Sequence, residues 1–159
     1  MDSGKISYAG VGAAVAGVIG MVGVYSTWWE TDAASYNGTA DISGSLAFAM
    51  ALGLFAAGGA YVLISDRQIR RATGALATLF AVVLTLSCVW GLVRADNVAP
   101  GADISMGLFV SALGGVLGIA AGFLVMRDNM LADAAATDTM PTTASDMPAD
   151  TTSTDEAGA

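Results

Sequence analysis

Long uncharged hydrophobic stretches alternate with short polar segments along most of the chain. Four windows hold no charged residue at all: 6–29, 42–65, 72–93 and 104–126. Each exceeds the roughly 20 helical residues that cross a hydrocarbon layer of about 30 Å. Their apolar residues run continuously, without the alternation that a membrane barrel strand requires. The pattern therefore predicts an all-α membrane protein with a bundle of four transmembrane helices. The predicted helices are residues 6–26, 44–65, 72–93 and 105–126.

The two ends of the chain need separate interpretation: the first window resembles a signal peptide, and the last residues form an acidic tail. The first window could be a cleaved signal peptide, but its apolar run exceeds the roughly 7–15 residues of such a segment. We therefore expect a span. Residues 128–159 carry seven acidic residues, no basic residue and many threonines. This composition buries too little apolar surface to fold, so we expect a four-helix domain over 1–127 and a disordered acidic tail over 128–159.

Basic residues predict the orientation. Five of the six lie before span one, between spans two and three, or after span four, and only Arg94 lies in a loop on the other side. Cytoplasmic loops of membrane proteins are enriched in Lys and Arg, so both termini are predicted to be cytoplasmic in a cell membrane. The loops 27–43 and 94–104 then lie together outside. Trp28, Trp29 and Trp90 fall near that outer face, which predicts that they are interfacial anchors.

Small residues recur at four-residue spacing on three of the spans. Such stripes let helix backbones approach closely within a membrane. We predict packing of spans one, two and four through these faces, either within one copy or, at the span-four stripe, against a second copy or a partner helix. The stripes are Gly12, Ala16 and Gly20; Ser45, Ala49, Gly53 and Ala57; and Gly114, Gly118 and Gly122.

Composition removes several classes of chemistry. The chain has no histidine and one cysteine, Cys88, and no ionisable acid or base lies within a span. This removes the commonest metal ligand, the usual haem ligand and the usual general base, and leaves no intramembrane charge for ion-coupled transport. A net charge of −8 disfavours nucleic acid as a partner. We therefore predict no catalytic residue, metal or cofactor. A span serine or threonine can bond a carbonyl one turn back and needs no function.

The first outer loop holds the remaining candidate chemistry. Glu30, Asp32 and Asp41 could attract a cation or act as acids, but their spacing fits no calcium loop. Asn37-Gly38-Thr39 is a glycosylation sequon, so Asn37 is a possible modification site in a host that glycosylates. Aspartate outnumbers glutamate twelve to two and lysine occurs once. That balance favours either a salt-adapted or a high-GC prokaryotic source.

The sequence from 26 to 90 resembles the tryptophan-associated transmembrane proteins, which are small four-span prokaryotic membrane proteins of undefined activity. The matching features are Trp28-Trp29 at the end of span one, Gly44 at the start of span two and the run Arg70-Arg71-Ala72-Thr73-Gly74-Ala75-Leu76 entering span three. The general plan also resembles tetraspan claudin-type proteins, although the paired outer cysteines of that group are missing. Neither resemblance implies a catalytic residue.

These observations favour a non-catalytic structural or accessory membrane protein. It would associate with itself or with another membrane protein through the small-residue helix faces. Two alternatives remain open at this point. One is a small oligomeric channel or carrier for a neutral solute, with the span hydroxyls lining its path. The other is a membrane enzyme that uses Glu30 or Asp32.

Overall fold

The computed structural model describes residues 8–98 and 100–138. Four of its helices are long and apolar enough to cross a membrane. In chain order the helices are α1 (Tyr8–Tyr25), α2 (Ile42–Leu63), α3 (Arg67–Val93), the single turn α4 (Ala95–Val98) and α5 (Met106–Asp138). The strands are β1 (Thr27–Glu30), β2 (Ser35–Asn37) and β3 (Asp103–Ile104), and a 3-10 turn covers Gly38–Ala40.

The four long helices form an antiparallel bundle with a square cross-section. Helix α1 packs against α2 and α5, and α3 packs against the same two helices, whereas the diagonal pairs barely touch. Each helix therefore buries two adjoining stripes and turns the rest of its surface outward. The outward surface carries large apolar side chains along all four helices, as a membrane environment requires.

Helix ends differ from the predicted bounds for local reasons. Helix α3 begins at Arg67, five residues before the predicted start, because Asp66 caps it. The Asp66 carboxylate accepts hydrogen bonds from the main-chain N–H groups of Gln68 at 2.8 Å and Ile69 at 3.1 Å. Helix α5 continues to Asp138. The helix therefore extends into the predicted acidic tail as far as Asp138, and the rest of that tail, 139–159, lies outside the described residues, as does Lys5.

A small antiparallel sheet closes one end of the bundle, which the all-α prediction did not include. The strand order is β2-β1-β3, with Trp29 opposite Tyr36 on one side and Ile104 on the other. Strand β3 belongs to the α3–α5 connection and β1 to the α1–α2 connection. The sheet therefore confirms that these two loops lie at the same end, called here the sheet end. The opposite end, where Arg67–Arg71 begin α3, is called the arginine end.

A bulge in β1 determines where the two tryptophans point. The register against β2 shifts between Thr27 and Trp29, which leaves Trp28 as an extra residue in the strand. Successive side chains of a regular strand point to opposite faces, but a bulge breaks that alternation. Both Trp28 and Trp29 are consequently directed into the bundle, and the Trp28 carbonyl accepts a hydrogen bond from the Ser105 N–H at 2.8 Å.

Candidate functional site at the sheet end

The two tryptophans form the core of the sheet end. Their rings meet edge to face, with centroids 5.5 Å apart and an interplanar angle of 75°. The Trp28 indole N–H donates a hydrogen bond to the Gly23 carbonyl at 3.0 Å. Two glycines make room for the ring. A Cβ on Gly38 would lie 2.6 Å from the Trp28 ring, and one on Gly91 would lie 3.0 Å from it.

Their burial corrects the predicted role of this pair. Trp28 and Trp29 are 0% exposed, so neither indole can lie at a membrane surface as an anchor. The physical reason is the bulge in β1, which directs both rings into the bundle core. Trp90 differs, because it projects from α3 near the sheet end and is 56% exposed. Its role as an interfacial anchor stays a prediction.

The predicted stripes of α1 and α5 lie inside the bundle and contact each other and neighbouring helices. A Cβ on Gly114 would lie 2.6 Å from the Gly20 nitrogen and 2.9 Å from the Ala16 carbonyl oxygen. Further along α5, Gly118 lies against Leu54 and Ala81, and Gly122 lies against Thr78; on α1, Gly12 lies against Ala121. The span-four stripe is thus occupied within one copy and does not face a second one.

The predicted stripe of α2 is only partly correct. Gly53 lies against the Phe80 ring and Ala57 is buried, but Ala49 is exposed. The buried face runs instead through Gly44, Ala47, Ala51, Leu54, Gly58 and Tyr61. Its alternating spacing of three and four residues follows the helical repeat. A strict spacing of four drifts away from that face, which is why Ser45 and Ala49 point outward.

The closest approach of α1 to α2 was missed by the sequence reasoning. A Cβ on Gly17 would lie 2.6 Å from the Phe55 nitrogen, and Gly58 sits directly against the Ala14 nitrogen. Gly10 and Gly17 share a face seven residues apart with Ala13, and that spacing was the available signal. Gly-to-backbone contacts of this kind give helix pairs their close packing in lipid.

Acidic residues surround a polar cavity of about 600 Å³ at the outer rim of the sheet end. Glu30 and Asp103 lie directly opposite each other on β1 and β3, and Asp32 joins them from the β1–β2 turn. Asp41, which the sequence grouped with Glu30 and Asp32, is not part of this rim. The described residues contain no group of three or more metal-binding side chains arranged to hold an ion.

Asp41 instead caps α2. Its carboxylate accepts hydrogen bonds from the Ser43 hydroxyl at 2.5 Å and from the Ser43 N–H at 3.2 Å. These bonds, together with the positive charge of Arg94, hold the pKa of Asp41 below its ordinary value, against a smaller opposing effect of burial. The acid therefore has a structural role that stabilises the start of α2.

The sequon lies on exposed backbone of the same end. Asn37 is the last residue of β2, and its side-chain carbonyl accepts a hydrogen bond from the Thr39 hydroxyl at 2.8 Å. Asn37 and Thr39 are both exposed. Modification of Asn37 stays a prediction.

Two apolar grooves run along the outside of the bundle. The larger, of about 680 Å³, lies between α2 and α3 near the sheet end, with Leu46, Leu86 and Trp90 among its walls. The smaller, of about 400 Å³, lies between α1 and α5 near the arginine end, with Gly12 and Leu117 among its walls. Both face away from the bundle interior.

The span hydroxyls are occupied by their own helices. Ser111 is fully buried and donates to the Gly107 carbonyl at 3.0 Å, and Thr85 donates to the Ala81 carbonyl at 2.9 Å. Thr78 and Ser87 make the same bond one turn back. These four bonds are of the kind that a serine or threonine within a helix can form. The hydroxyls therefore offer no line of free donors through the bundle.

A cluster of Arg70, Tyr61 and Asn129 joins three helices at the arginine end. The Arg70 guanidinium lies 4.5 Å from the centroid of the Tyr61 ring, and the Tyr61 hydroxyl donates to the Asn129 side-chain carbonyl at 3.5 Å. The cluster joins α2, α3 and α5 where their apolar stretches end. A cation over an aromatic face is favourable, so Arg70 also stabilises the position of Tyr61.

Comparison with known proteins adds no relative. No protein-family model matches the chain, and no curated protein or solved structure matches it.

Proposed function

We propose that this protein is a non-catalytic structural or accessory subunit of a membrane complex. It crosses the cell membrane four times, with both termini in the cytoplasm and the sheet end outside. The closed interior is the observation that carries the proposal. Glycine and alanine contacts bring the backbones together, the span hydroxyls bond their own helices, and every ionisable acid or base lies outside the apolar spans.

The distribution of basic residues supports the proposed orientation. Arg67, Arg70 and Arg71 begin α3 at the arginine end, and Arg127 lies on α5 beyond the apolar span at the same end. Arg94 alone among the arginines lies at the sheet end. An excess of basic residues marks the cytoplasmic side. The resemblance to the tryptophan-associated transmembrane proteins agrees with this plan, since those proteins also have four spans.

Association would use surfaces that the monomer leaves open. The glycine faces already pack against neighbouring helices within the bundle. Contacts with a partner would therefore use the outward apolar side chains and the acidic rim of Glu30, Asp32 and Asp103. An acidic rim steers a partner with a basic surface toward the sheet end. The rim thus gives the proposal a surface that can be altered without disturbing the bundle.

Co-purification tests the proposal. A tagged protein would be extracted from its source membrane in mild detergent, and its companions would be identified by mass spectrometry. The matched variant carries Glu30→Gln, Asp32→Asn and Asp103→Asn, which keep shape and remove charge. We expect a stoichiometric membrane partner with the wild type and at least severalfold less with the variant. A solitary monomer from undisturbed membranes would contradict the proposal.

The channel alternative, with span hydroxyls that line the path of a neutral solute, is less well supported. Ser111 is enclosed in the bundle and donates to a carbonyl of its own helix. Flux of neutral solutes into liposomes that contain the purified protein is the direct measurement, and we expect none above protein-free liposomes.

A further inference from the structure

On its α3 side, the groove between α2 and α3 has about the length of one membrane leaflet. On α3 its walls run from Val83 to Val93, and on α2 they run from Ile42 to Leu46. Ten residues of helix rise about 15 Å, which is half of a hydrocarbon layer of about 30 Å. The half height matches a single acyl chain that enters from the sheet end.

Two serines lie on the floor of the groove, but their hydroxyl donors are already used in hydrogen bonds. Ser43 and Ser87 are buried, and each hydroxyl donates a hydrogen bond within the protein, to the Asp41 carboxylate at 2.5 Å and to the Val83 carbonyl at 2.8 Å. No donor is left on these hydroxyls for a ligand. The walls carry large apolar side chains that are about half exposed, such as Leu46 and Leu86. A hydrocarbon chain is the ligand that such a surface fits.

The mouth of the groove carries one charge of each sign. Arg94 is the C-cap of α3 and keeps a helical backbone conformation. It follows Trp90 by four residues and Ser87 by seven, so its position continues the groove-lining face of that helix. Asp41 begins α2, next to the groove residues Ile42 and Ser43. The two charges are close enough for Arg94 to lower the pKa of Asp41. The mouth is thus dipolar, whereas the nearby rim of Glu30, Asp32 and Asp103 is wholly acidic.

We propose that this groove binds a zwitterionic phospholipid with a primary amine in its headgroup. One acyl chain lies between α2 and α3, the phosphate contacts Arg94, and the ammonium group faces Asp41. A guanidinium has five N–H donors, so Arg94 can donate hydrogen bonds to a phosphate while its charge still acts on Asp41. The acidic rim disfavours a headgroup with net negative charge. This inference rests on the proposed membrane placement of the four helices.

Quenching of Trp90 fluorescence tests the proposal. The full chain would be reconstituted with phosphatidylethanolamine, phosphatidylcholine or phosphatidylglycerol, each brominated in the upper part of the same acyl chains. Trp90 lines the groove and is exposed, whereas Trp28 and Trp29 are buried. Trp90→Phe measures the signal of the buried pair. We expect the ethanolamine lipid to reach half-maximal quenching at an about fivefold lower mole fraction than the glycerol lipid.

Charge variants separate the two headgroup contacts. Arg94→Gln should remove most of the preference for phosphatidylethanolamine. Asp41→Asn keeps the cap on α2, because Asn caps helices as well as Asp. In this variant phosphatidylglycerol should reach half-maximal quenching at the same mole fraction as phosphatidylethanolamine. Val83→Phe fills the groove and should abolish headgroup selectivity. Val116→Phe, on the outward face of α5, is the matched control and should leave selectivity unchanged.

Three outcomes would overturn the inference or its premise. If the three lipids quench Trp90 equally, and Arg94→Gln does not change this, lipid solvates the groove without selectivity. No quenching of Trp90 in protein that floats with the liposomes would mean that another chain covers the groove. Protein that fails to float with liposomes would instead contradict the membrane placement itself.

Discussion

Trp28 donates its indole N–H to the main-chain carbonyl of Gly23 at 3.0 Å, while the adjoining Trp29 indole nitrogen is buried without a hydrogen-bond partner among the described residues. One indole N–H of this pair is therefore hydrogen-bonded and the other is not. We expect Trp28→Phe to lower the free energy of unfolding by about 1 kcal/mol more than Trp29→Phe, because only the first variant breaks a bond. Chemical denaturation in detergent micelles measures both. Equal losses would contradict the expectation.

The contact between α1 and α5 predicts a strong difference between two glycines. Gly114→Ala places a methyl group 2.6 Å from the Gly20 nitrogen, so the helices must separate. We expect a loss of about 2 kcal/mol or more, as for overpacked cores. Gly59→Ala is the matched control, since its Cβ would meet no atom within 4 Å, and it should be neutral or stabilising. Thermal unfolding in detergent compares them.

The cross-strand pair of Glu30 and Asp103 predicts a stabilising substitution. Like charges directly opposite each other on antiparallel strands destabilise a sheet. Asp103→Asn should therefore raise the free energy of unfolding by about 0.5 kcal/mol at neutral pH and low salt. The gain should fade near 1 M salt because of screening. Asp128→Asn, on α5 beyond its apolar span, is the control and should change little.

The cap on α2 predicts a pH-dependent effect. Asp41 has a lowered pKa in the folded protein, so its carboxylate contributes stability above its ordinary pKa, and this contribution is lost as the pH falls through the folded value. Asp41→Ala should cost about 1 kcal/mol at pH 7. The difference from wild type should shrink below about pH 4. Asp41→Asn should retain most of the cap at both pH values. A gap independent of pH would argue against an ionised cap.

The proposed orientation predicts where added cysteines react. Cys88 is buried, so it should give little background with a maleimide that cannot cross membranes. Ser35→Cys, exposed on β2, should react in intact cells. Gln68→Cys, exposed at the start of α3, should react only after the cells are opened. The reverse pattern would invert the proposed topology and leave the fold as described.

The four long apolar helices could be predicted because they depend on one local property, the length of uncharged sequence. Their ends could be predicted less well, since the start of α3 depends on Asp66 and its two main-chain bonds. The placement of both loops at one end followed from the helix count alone. That such hydroxyl bonds can form also followed, because a serine or threonine in a helix has a carbonyl one turn back within reach.

The sheet could not be predicted because it joins distant segments. Trp29 faces Ile104 across the β1–β3 pair, and β3 is only two residues long, too short to leave a pattern. Without that pairing, two tryptophans at a span end indicate a membrane surface. The buried face of α2 was also ambiguous, because small residues occur on several of its faces and only the neighbours α1 and α3 select among them.

The position of β3 late in the chain has a consequence for biogenesis. Strand β1 and its tryptophans leave the ribosome long before Asp103 and Ile104 are made, so the indoles are only partly covered while the first three long helices form. Only a nascent chain that has completed its third connection can fasten the sheet. The β1–β3 pair therefore forms late in synthesis, and a protein truncated before β3 would leave one edge of β1 unpaired and the tryptophan pair only partly covered.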